Sequence, residues 1–335
     1  MIDPKPVLDL LDGFRRSKVM FVSVSMGIFD RLAKEPATAA DLAVEMKANA
    51  VALEQLLDSC VGLELLAKKE NVYSNTALAS TYLVAGNPRS LRGYIRYSDM
   101  ALYPMWSNLQ AAVVRGTHRW KQTFGSEGAT LFEHFFNTEE KKREFLAGMH
   151  GRGMISSAAV AAAFDLSHFR RLVDLGGATG HLVIAACERY PELEGTVFDL
   201  PDVMPIAREY VLDCLVADRI DLAPGDFFSD ELPPADLYAL GQILHDWSDA
   251  KVALLLRKVR VALGVGGGLL IAEKLLDDDK TGPVTVQLQS LNMLVCTEGR
   301  ERTVAEYTAL LQTAGFSKVQ ARRTGKTVDA VLATV

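Results

Sequence analysis

Three ionisable side chains stand where apolar segments of the sequence end. His245 follows the run LGQIL, Glu273 closes the run GLLIAE, and Glu301 lies in the segment GRERT. A histidine, with an ordinary pKa of about 6.5, is a natural general base near neutral pH. Carboxylates beside it can orient the imidazole and stabilise its protonated form. The pattern predicts that His245 removes a proton while Glu273 and Glu301 hold it in place, although His245 beside Asp246 could instead be a helix-start residue.

A second set of residues indicates a nucleoside-like ligand. Gly176 opens the run GGATG, and Asp199 and the pair Asp226-Phe227 follow the next two β-rich runs. Glycines at such a turn let the backbone approach a ligand, and a carboxylate after the second strand can bind both ribose hydroxyls. Asp226 could bond an adenine amino group, with Phe227 packed on the base. Each acid alone could equally be a cap or turn residue, but three successive strand ends make coincidence unlikely.

The glycine run also narrows the ligand class. A dinucleotide fold would show G-x-G-x-x-G with pyrophosphate at the helix N-terminus. Here the spacing is G-G-x-x-G, and Asp174 precedes it. An acidic residue at this place suits a cationic methionyl ligand better than a pyrophosphate, which favours S-adenosylmethionine (SAM) as the cofactor.

The elements that must position these residues begin at residue 171, where short β-rich runs alternate with helical segments. Such alternation predicts an α/β fold with a doubly wound, mostly parallel sheet, in which a ligand binds at the carboxyl ends of the strands. The predicted strands are RLVDLGG, GTVFDLP, RIDLAPGD, ADLYALG, GGGLLIAE, KVQARRT and AVLATV.

The N-terminal part has a helical pattern instead of alternating β-rich and helical runs. Apolar residues at helical spacing over residues 7–35 predict a helical pair, and two further helices lead into KKENVYSNTALA, which predicts a short hairpin. This order suggests a winged helix, but residues 41–66 carry five acids against Lys47 alone, which disfavours DNA. We expect the module to pack against a partner subunit in a homodimer. The expected domains are a helical winged-helix-like dimerisation domain (1–100), an aromatic-rich helical connector lining the acceptor pocket (101–165) and a SAM-binding catalytic domain (166–335).

Composition limits the class of protein. The chain has 335 residues, 49% of them hydrophobic, and a net charge of −6, which argues against nucleic-acid binding and for a small-molecule partner. The four cysteines form no CxxC pair and have no histidine at metal-ligand spacing, so we expect reduced thiols and no metal. The N-terminus lacks signal-peptide features, and no run approaches the ~20 apolar residues of a membrane span. We therefore expect a soluble, cytoplasmic protein that does not bind membranes.

Six motifs resemble the small-molecule O-methyltransferase family, which includes plant phenolic methyltransferases and acetylserotonin O-methyltransferase. The likeness is greatest to the acetylserotonin O-methyltransferases and a methyltransferase-like relative of theirs, and it spans nearly the whole chain. It implies a helical dimerisation domain that exchanges helices between subunits, followed by a class I SAM-binding domain. The matching motifs are VDLGGATG, TVFDLPDV, GDFFSDELPPADLY, ILHDWSD, GGGLLIAEKLLDDD and SLNMLVCTEGRERT.

The resemblance also implies roles for individual residues. It makes His245 the general base flanked by Glu273 and Glu301, and it leaves S-adenosylhomocysteine (SAH) as the product. The implied cofactor contacts are Gly176, Asp199, Asp226, Phe227, Gln242 and Phe136. The implied acceptor-binding residues are Asp246, Asn292 and Cys296.

Four positions depart from the family pattern. Gln242 stands where acetylserotonin methyltransferases have Arg, Cys296 where they have an acceptor-binding Gln, and Gly153 where they have Trp; plant relatives carry Lys at the Gly241 position.

We expect methyl transfer to a hydroxyl of a small aromatic or largely apolar acceptor. Two alternatives stay open: a methyltransferase-like winged-helix regulator or scaffold without catalysis, and an NAD-dependent oxidoreductase. The remaining histidines are interpreted as surface or packing residues: His118, His134, His150, His168 and His181.

Overall fold

The computed structural model describes residues 2–125 and 138–335. It divides into two compact units, Met1–Tyr103 and Pro104–Val335. Residues 104–165, the greater part of the predicted connector, fall in the second unit. No helix within the described ranges combines the length and apolar character needed to cross a bilayer.

The first unit is helical with a small antiparallel sheet. Its strands are β1 (Ala37–Thr38), β2 (Leu66–Lys69) and β3 (Val72–Asn75), in the order β1-β3-β2. Its helices are Lys5–Ser25, Ile28–Leu32, Ala39–Met46, Ala50–Gly62, Ala77–Tyr82 and Arg92–Tyr97, the last continuing into a π-helical turn at Ser98–Leu102. The predicted helical pair and the predicted hairpin are both present.

Local hydrogen bonds explain where these helices begin. The Thr38 hydroxyl accepts from the Asp41 amide at 3.2 Å and the Asp41 carboxylate accepts from the Thr38 amide at 3.4 Å, which closes a capping box. Asn49 caps the next helix through the Ala52 amide at 3.0 Å. The sequence Thr38-x-x-Asp41 therefore sets the start of the helix Ala39–Met46.

One face of the first helix is apolar and exposed. The exposed fractions of its side chains are 82% for Leu10, 63% for Leu11 and 53% for Phe14, and Val7 and Leu8 are also exposed. Contiguous exposed apolar surface of this kind marks an interaction site more often than free solvent-facing surface.

The second unit contains a seven-stranded sheet. Its strands are β4 (Arg171–Leu175), β5 (Glu194–Asp199), β6 (Ile220–Pro224), β7 (Leu237–Gly241), β8 (Gly268–Glu273), β11 (Lys318–Arg322) and β12 (Asp329–Thr334). A separate two-stranded ladder joins β9 (Leu275–Leu276) to β10 (Arg302–Thr303). The helices are Tyr103–Trp106, Leu109–Arg115, Trp120–Phe124, Glu139–Gly153, Ser157–Ala161, His181–Arg189, Met204–Leu212, Asp249–Ala262, Val284–Cys296 and Val304–Ala314.

The strand order explains where a ligand can bind. The sheet runs β11-β12-β8-β7-β4-β5-β6, with β4 to β8 parallel and β12 antiparallel to both of its neighbours. After β4 the chain moves outward through β5 and β6, and then returns to the other side of β4 for β7 and β8. The order therefore reverses between β4 and β7, and a doubly wound sheet binds its ligand at that point, beyond the carboxyl ends of the strands. The predicted mostly parallel α/β sheet is confirmed.

Candidate active site

His245 lies at the carboxyl-terminal edge of the sheet, in the 3-10 turn Leu244–Asp246 that follows β7. Glu273 is the last residue of β8, and Glu301 directly precedes β10. His245 Nδ1 is 2.7 Å from Glu301 Oε1 and 3.4 Å from Glu273 Oε2. The structure thus brings together three side chains that are far apart in the sequence, and each is at most 4% exposed.

The two glutamates act on different parts of the turn. Glu273 Oε1 accepts from the backbone amides of Leu244 at 2.9 Å and His245 at 3.3 Å, which holds the backbone. Glu301 Oε1 is at hydrogen-bond distance from His245 Nδ1. A proton on Nδ1 shared with Glu301 leaves the lone pair of a neutral imidazole on Nε2, the nitrogen that faces Asp246 Oδ1 at 3.6 Å.

Burial and the charges of neighbouring residues have opposite effects on the pKa values of these side chains. Burial alone would lower the pKa of His245, but the negative charges of Glu273, Glu301 and Asp246 outweigh it and raise that pKa to about 10. Burial raises the pKa of Glu273 to about 7 and that of Asp246 to about 6, although the His245 charge opposes both shifts. The cluster therefore has a high affinity for a proton.

Arg302, which is fully buried, forms hydrogen bonds with the backbone of the turn that carries His245, a role that the sequence analysis did not predict. Arg302 donates to the carbonyl oxygens of Leu244 at 2.8 Å and Trp247 at 3.1 Å, and to Asp249 Oδ1 at 2.7 Å. It lies in the GRERT segment, so the signal was present, but spacing alone does not say that its guanidinium points at backbone rather than at a ligand. Gly299 packs against the same turn: an added Cβ would lie less than 3.0 Å from the backbone of His245 and Asp246.

The predicted acceptor-binding residues share one neighbourhood. Asn292 and Cys296 are one turn apart on a helix, and the Cys296 thiol is 3.8 Å from Asn292 Oδ1. Trp106 donates to Asn292 Oδ1 at 2.9 Å, and Trp120 donates to the Cys296 carbonyl at 2.7 Å. Burial, with the Asp246 charge adding to it, raises the pKa of the Cys296 thiol well above its usual range. These contacts provide a neutral, largely apolar surface.

Two glycines in the loop after β4, Gly176 and Gly177, have no room for a side chain. Gly176 has φ +71°, and a Cβ there would lie 2.5 Å from Ile243 Cδ1. At Gly177 a Cβ would lie 3.1 Å from an Asp174 carboxylate oxygen. Asp174 is 2% exposed, and burial, reinforced by the Asp199 charge, raises its pKa to about 7. The loop is therefore a bare backbone surface with an acid beneath it.

Asp199 ends β5 and reaches across to that loop. Its Oδ2 accepts from the Ala178 amide at 2.8 Å and its Oδ1 from the Leu200 amide at 2.7 Å. Burial raises its pKa to about 6 although both amides oppose the shift. Each carboxylate oxygen has lone pairs that these amides do not use, so it can accept a further hydrogen bond.

Asp226 and Phe227 lie in the turn beyond β6. Asp226 Oδ1 accepts from the Phe228 amide at 2.8 Å, so this acid also shapes its own turn. Phe227 lies over the glycine loop, since a Cβ on Gly176 would be 3.4 Å from its ring. Gly176 and Phe227, two of the predicted cofactor contacts, therefore lie close to each other.

Gln242 follows β7 with φ +54°, a left-handed conformation that is unusual for a residue with a side chain. Its amide donates to Ala272 O at 2.9 Å, which ties the end of β7 to β8. Phe136, the remaining predicted cofactor contact, lies outside the described residues.

Two further histidines lie beside the glycine loop. His150 Nδ1 is 2.9 Å from Thr179 Oγ1 and His181 Nδ1 is 2.9 Å from Ser157 Oγ. Thr179 belongs to the glycine loop. Their positions depend on how the helices pack around that loop, which the one-dimensional pattern does not encode.

The spacing of His245, Glu273 and Glu301 also fits a metal ion. One ligand atom from each of His245, Glu273 and Glu301 lies within 4.8 Å of the others. The pair His245–Glu301 is already at hydrogen-bond distance, so a shared proton satisfies it. The absence of a structural metal stays a prediction.

Comparison with known proteins identifies the family of this chain. A family model described as an O-methyltransferase domain matches residues 106–317, and one described as an O-methyltransferase dimerisation domain matches residues 8–85. Acetylserotonin O-methyltransferase from Bos taurus is 44% identical over 96% of this chain and 95% of its own length. The crystal structure of human N-acetylserotonin methyltransferase in complex with SAM superposes with a TM-score of 0.93 at 39% identity, covering 98% of this chain and 96% of that one. A structure described as PigF with SAH gives a TM-score of 0.90 at 27% identity, with both chains fully covered.

The fold and the site define a SAM-dependent methyltransferase. More narrowly, the chain belongs to the small-molecule O-methyltransferase family that includes acetylserotonin O-methyltransferase. The residues present fit the cofactor of this family, because the glycine loop offers bare backbone and Asp199 keeps free acceptor capacity beside it. The expected O-methyltransferase resemblance and the expected SAM cofactor are confirmed.

The packing of Gly299 generates the first prediction. Gly299→Ala forces a methyl group against the His245 backbone, so the turn must shift; we expect kcat to fall by about 10²-fold, as for a small misplacement of a catalytic group, and the melting temperature to fall. SAH affinity, measured by calorimetry, should change little. The matched control is Gly264→Ala, because a Cβ there meets nothing within 4 Å. Equal activity in the two variants would contradict the described contact.

Proposed function

We propose that the protein methylates a hydroxyl group on a small aromatic acceptor, with His245 as the general base. The observation that carries this proposal is the placement of His245 Nδ1 against Glu301, 2.7 Å away, which leaves Nε2 as the ring nitrogen available to an acceptor proton. Glu273 supports the same role, because it fixes the backbone of the turn from which the imidazole projects.

The proposed chemistry is a displacement at carbon. Bound SAM supplies the methyl group, whose bond to sulfur breaks as the bond to the acceptor oxygen forms. His245 Nε2 takes the hydroxyl proton, and Glu301 and Glu273 stabilise the resulting imidazolium. A phenol has a pKa of about 10 by analogy with tyrosine, close to the value of about 10 for His245. The carboxylates that raise the pKa of His245 make it a stronger base towards such a hydroxyl group.

The chemical class of the acceptor is inferred from the side chains near Asp246. Asn292 already accepts from Trp106, and Cys296 offers a neutral thiol. The bovine and human relatives are named for acetylserotonin, but the acceptor-binding Gln implied by that resemblance is Cys296 here. We therefore propose a hydroxylated aromatic acceptor that makes fewer polar contacts on this side.

The cofactor side is assigned by the same reasoning. We propose that Gly176 supplies close backbone approach, that Asp199 binds the ribose hydroxyls, and that Asp226 and Phe227 bind the adenine. Gln242, whose amide donates to the Ala272 carbonyl beside the end of β7, is assigned to the cofactor side from the resemblance. Phe136 keeps its proposed cofactor contact from the resemblance alone.

The two alternative functions are less well supported. An NAD-dependent oxidoreductase would need a G-x-G-x-x-G loop, and the family match is to O-methyltransferases instead. A scaffold without catalysis would have no need to bury His245 beside two glutamates at less than 4 Å. Transfer of a labelled methyl group from SAM to phenols and hydroxyindoles, with the product mass measured, tests the function directly.

The ribose assignment predicts weaker cofactor binding in Asp199→Ala. Loss of charge-assisted hydrogen bonds worth about 1.5–3 kcal/mol each should lower SAH affinity at least tenfold in calorimetry. Asp199→Asn keeps one acceptor oxygen and should lose less. Wild-type affinity in Asp199→Ala would remove Asp199 from the cofactor site.

The base assignment predicts a pH profile. Because the pKa of His245 is raised, the imidazole is protonated below about pH 10, and only its neutral form can accept a proton. With an acceptor whose own ionisation lies outside the range, kcat/KM should therefore rise with pH towards that value. His245→Ala should lower kcat by ~10²–10⁴ and flatten the profile, with SAH affinity nearly unchanged.

Glu301→Gln is the matched variant for this profile. It removes one negative charge that raises the His245 pKa, so the rise in kcat/KM should move to lower pH. A purely structural role for Glu301 would lower the rate at every pH by the same factor. If His245→Ala methylates a weakly acidic phenol at the wild-type rate, His245 is not a general base, and catalysis depends on positioning alone.

Assembly forms a separate part of the proposal. The dimerisation-domain match and the exposed apolar face of the helix Lys5–Ser25 support a homodimer. Light scattering should give about twice the 36.6 kDa of one chain. Leu11→Asp combined with Phe14→Asp places charge on this face and should release monomers, whereas Val265→Asp, at a fully exposed apolar residue elsewhere, should not. A monomeric wild-type protein would contradict the proposal.

A further inference from the structure

The space beside Gly153 is filled by an imidazole. Gly153 is the last residue of the helix Glu139–Gly153 and is buried. A Cβ added to it would lie less than 3.0 Å from His181 Nε2, Cδ2 and Cε1. His181 begins the helix His181–Arg189 directly after the glycine loop. The two residues therefore occupy one volume, and a side chain at one position excludes the present side chain at the other.

Hydrogen bonds fix the orientation of that ring. Ser157 donates to the Gly153 carbonyl at 2.8 Å and lies 2.9 Å from His181 Nδ1. Since a hydroxyl has one proton, its use at Gly153 makes His181 Nδ1 the donor to Ser157. His181 Nε2 then carries a lone pair, and it has no hydrogen-bond partner among residues 2–125 and 138–335.

The ring belongs to a neutral polar cluster around the glycine loop. Burial lowers the pKa of His181 to about 4, and the His150 charge acts in the same direction. Burial likewise lowers the pKa of His150 to about 4. His150 binds Thr179 of the loop and packs against Tyr210, with ring centroids 4.2 Å apart. Both imidazoles are thus uncharged at neutral pH, which spares a cationic ligand from repulsion.

We propose that His181 is a cofactor-positioning residue, whose Nε2 accepts a hydrogen bond from the ammonium group at the methionyl end of SAM. Three observations support it. His181 adjoins the glycine loop, as a residue it is half-buried while Leu182, Val183 and Ile184 after it are fully buried, and its Nε2 is an acceptor. The ammonium is the hydrogen-bond donor of the methionyl group, so it is the matching partner. The proposal rests on residues 176–180 being the cofactor loop.

The proposal also accounts for Gly153. This glycine is one of the departures from the family pattern, and its missing side chain is what admits the imidazole. Gly153 and His181 then act as one unit, so changes at the two positions should not be additive.

The first experiment tests the shared volume. Gly153→Ala should lower the melting temperature and weaken SAH binding about tenfold, because the ring must move and loses a charge-assisted contact. Adding His181→Ala to Gly153→Ala removes the clash, so the double variant should recover the melting temperature of His181→Ala alone. Gly264→Ala is again the control. Wild-type stability and affinity in Gly153→Ala would overturn the packing on which the proposal depends.

The second experiment separates cofactor contact from packing. His181→Asn places an amide near Nδ1 and can keep the Ser157 contact, while His181→Gln places one near Nε2. His181→Gln should therefore bind SAH more tightly than His181→Asn, which should lose about tenfold or more. The matched ligand is 5′-methylthioadenosine, which lacks the methionyl amino acid; its affinity should be the same in both variants.

The possible outcomes distinguish this inference from the proposed function. Equal SAH affinity in His181→Asn and the wild type would overturn the contact with the methionyl end, while methyl transfer and its dependence on His245 would stand. Equal losses for SAH and 5′-methylthioadenosine would also overturn it, because the defect would then be in the loop as a whole. A wild-type protein that binds SAH but transfers no methyl group would instead contradict the proposed function.

Discussion

A histidine held out of water between carboxylates is the constraint on which this active site depends. Removing ionised groups from water costs several kcal/mol each unless they are paired and hydrogen-bonded. His245 and Glu301 compensate each other at 2.7 Å, and Glu273 is held by two backbone amides of the turn. The arrangement persists only while three separate elements, β8, β10 and the turn after β7, keep their places.

That requirement explains the supporting structure around the turn. Arg302 is fully buried, yet its guanidinium donates to backbone carbonyl oxygens and to Asp249. Gly299 leaves no Cβ to separate its loop from the backbone of His245. Neither residue need touch an acceptor. Both determine where the imidazole lies, so a family motif such as GRERT contains positioning residues as well as the glutamate.

Much of the fold could be predicted because its signals are local. Alternating β-rich and helical runs predicted the strands of the main sheet, and the helix start at Thr38 depends on a capping box formed by two residues three positions apart. The proximity of His245, Glu273 and Glu301 could be predicted, because polar residues that end apolar strands meet at one edge of a parallel sheet. The assignments of individual contacts to ligands remain predictions.

What could not be predicted depends on contacts between segments far apart in the sequence. His150 and His181 sit 31 positions apart, and only the packing of their helices shows that they flank the same loop. The same is true of Trp106 and Asn292, whose hydrogen bond joins two helices of the second unit. A pattern read along one chain gives residue types and periodicity, but not which pairs of faces meet.

The position of β12 has a consequence for how the sheet is completed. This strand is the last of the seven in the sequence, yet it lies inside the sheet, paired to β8 along one side and to β11 along the other. During synthesis β8, which carries Glu273 at its end, therefore has one unpaired side until residues 329–334 have emerged from the ribosome. β11 has no place in the sheet before then. A nascent chain stalled before residue 329 therefore exposes an unpaired, apolar strand edge, the kind of edge that can pair with another chain.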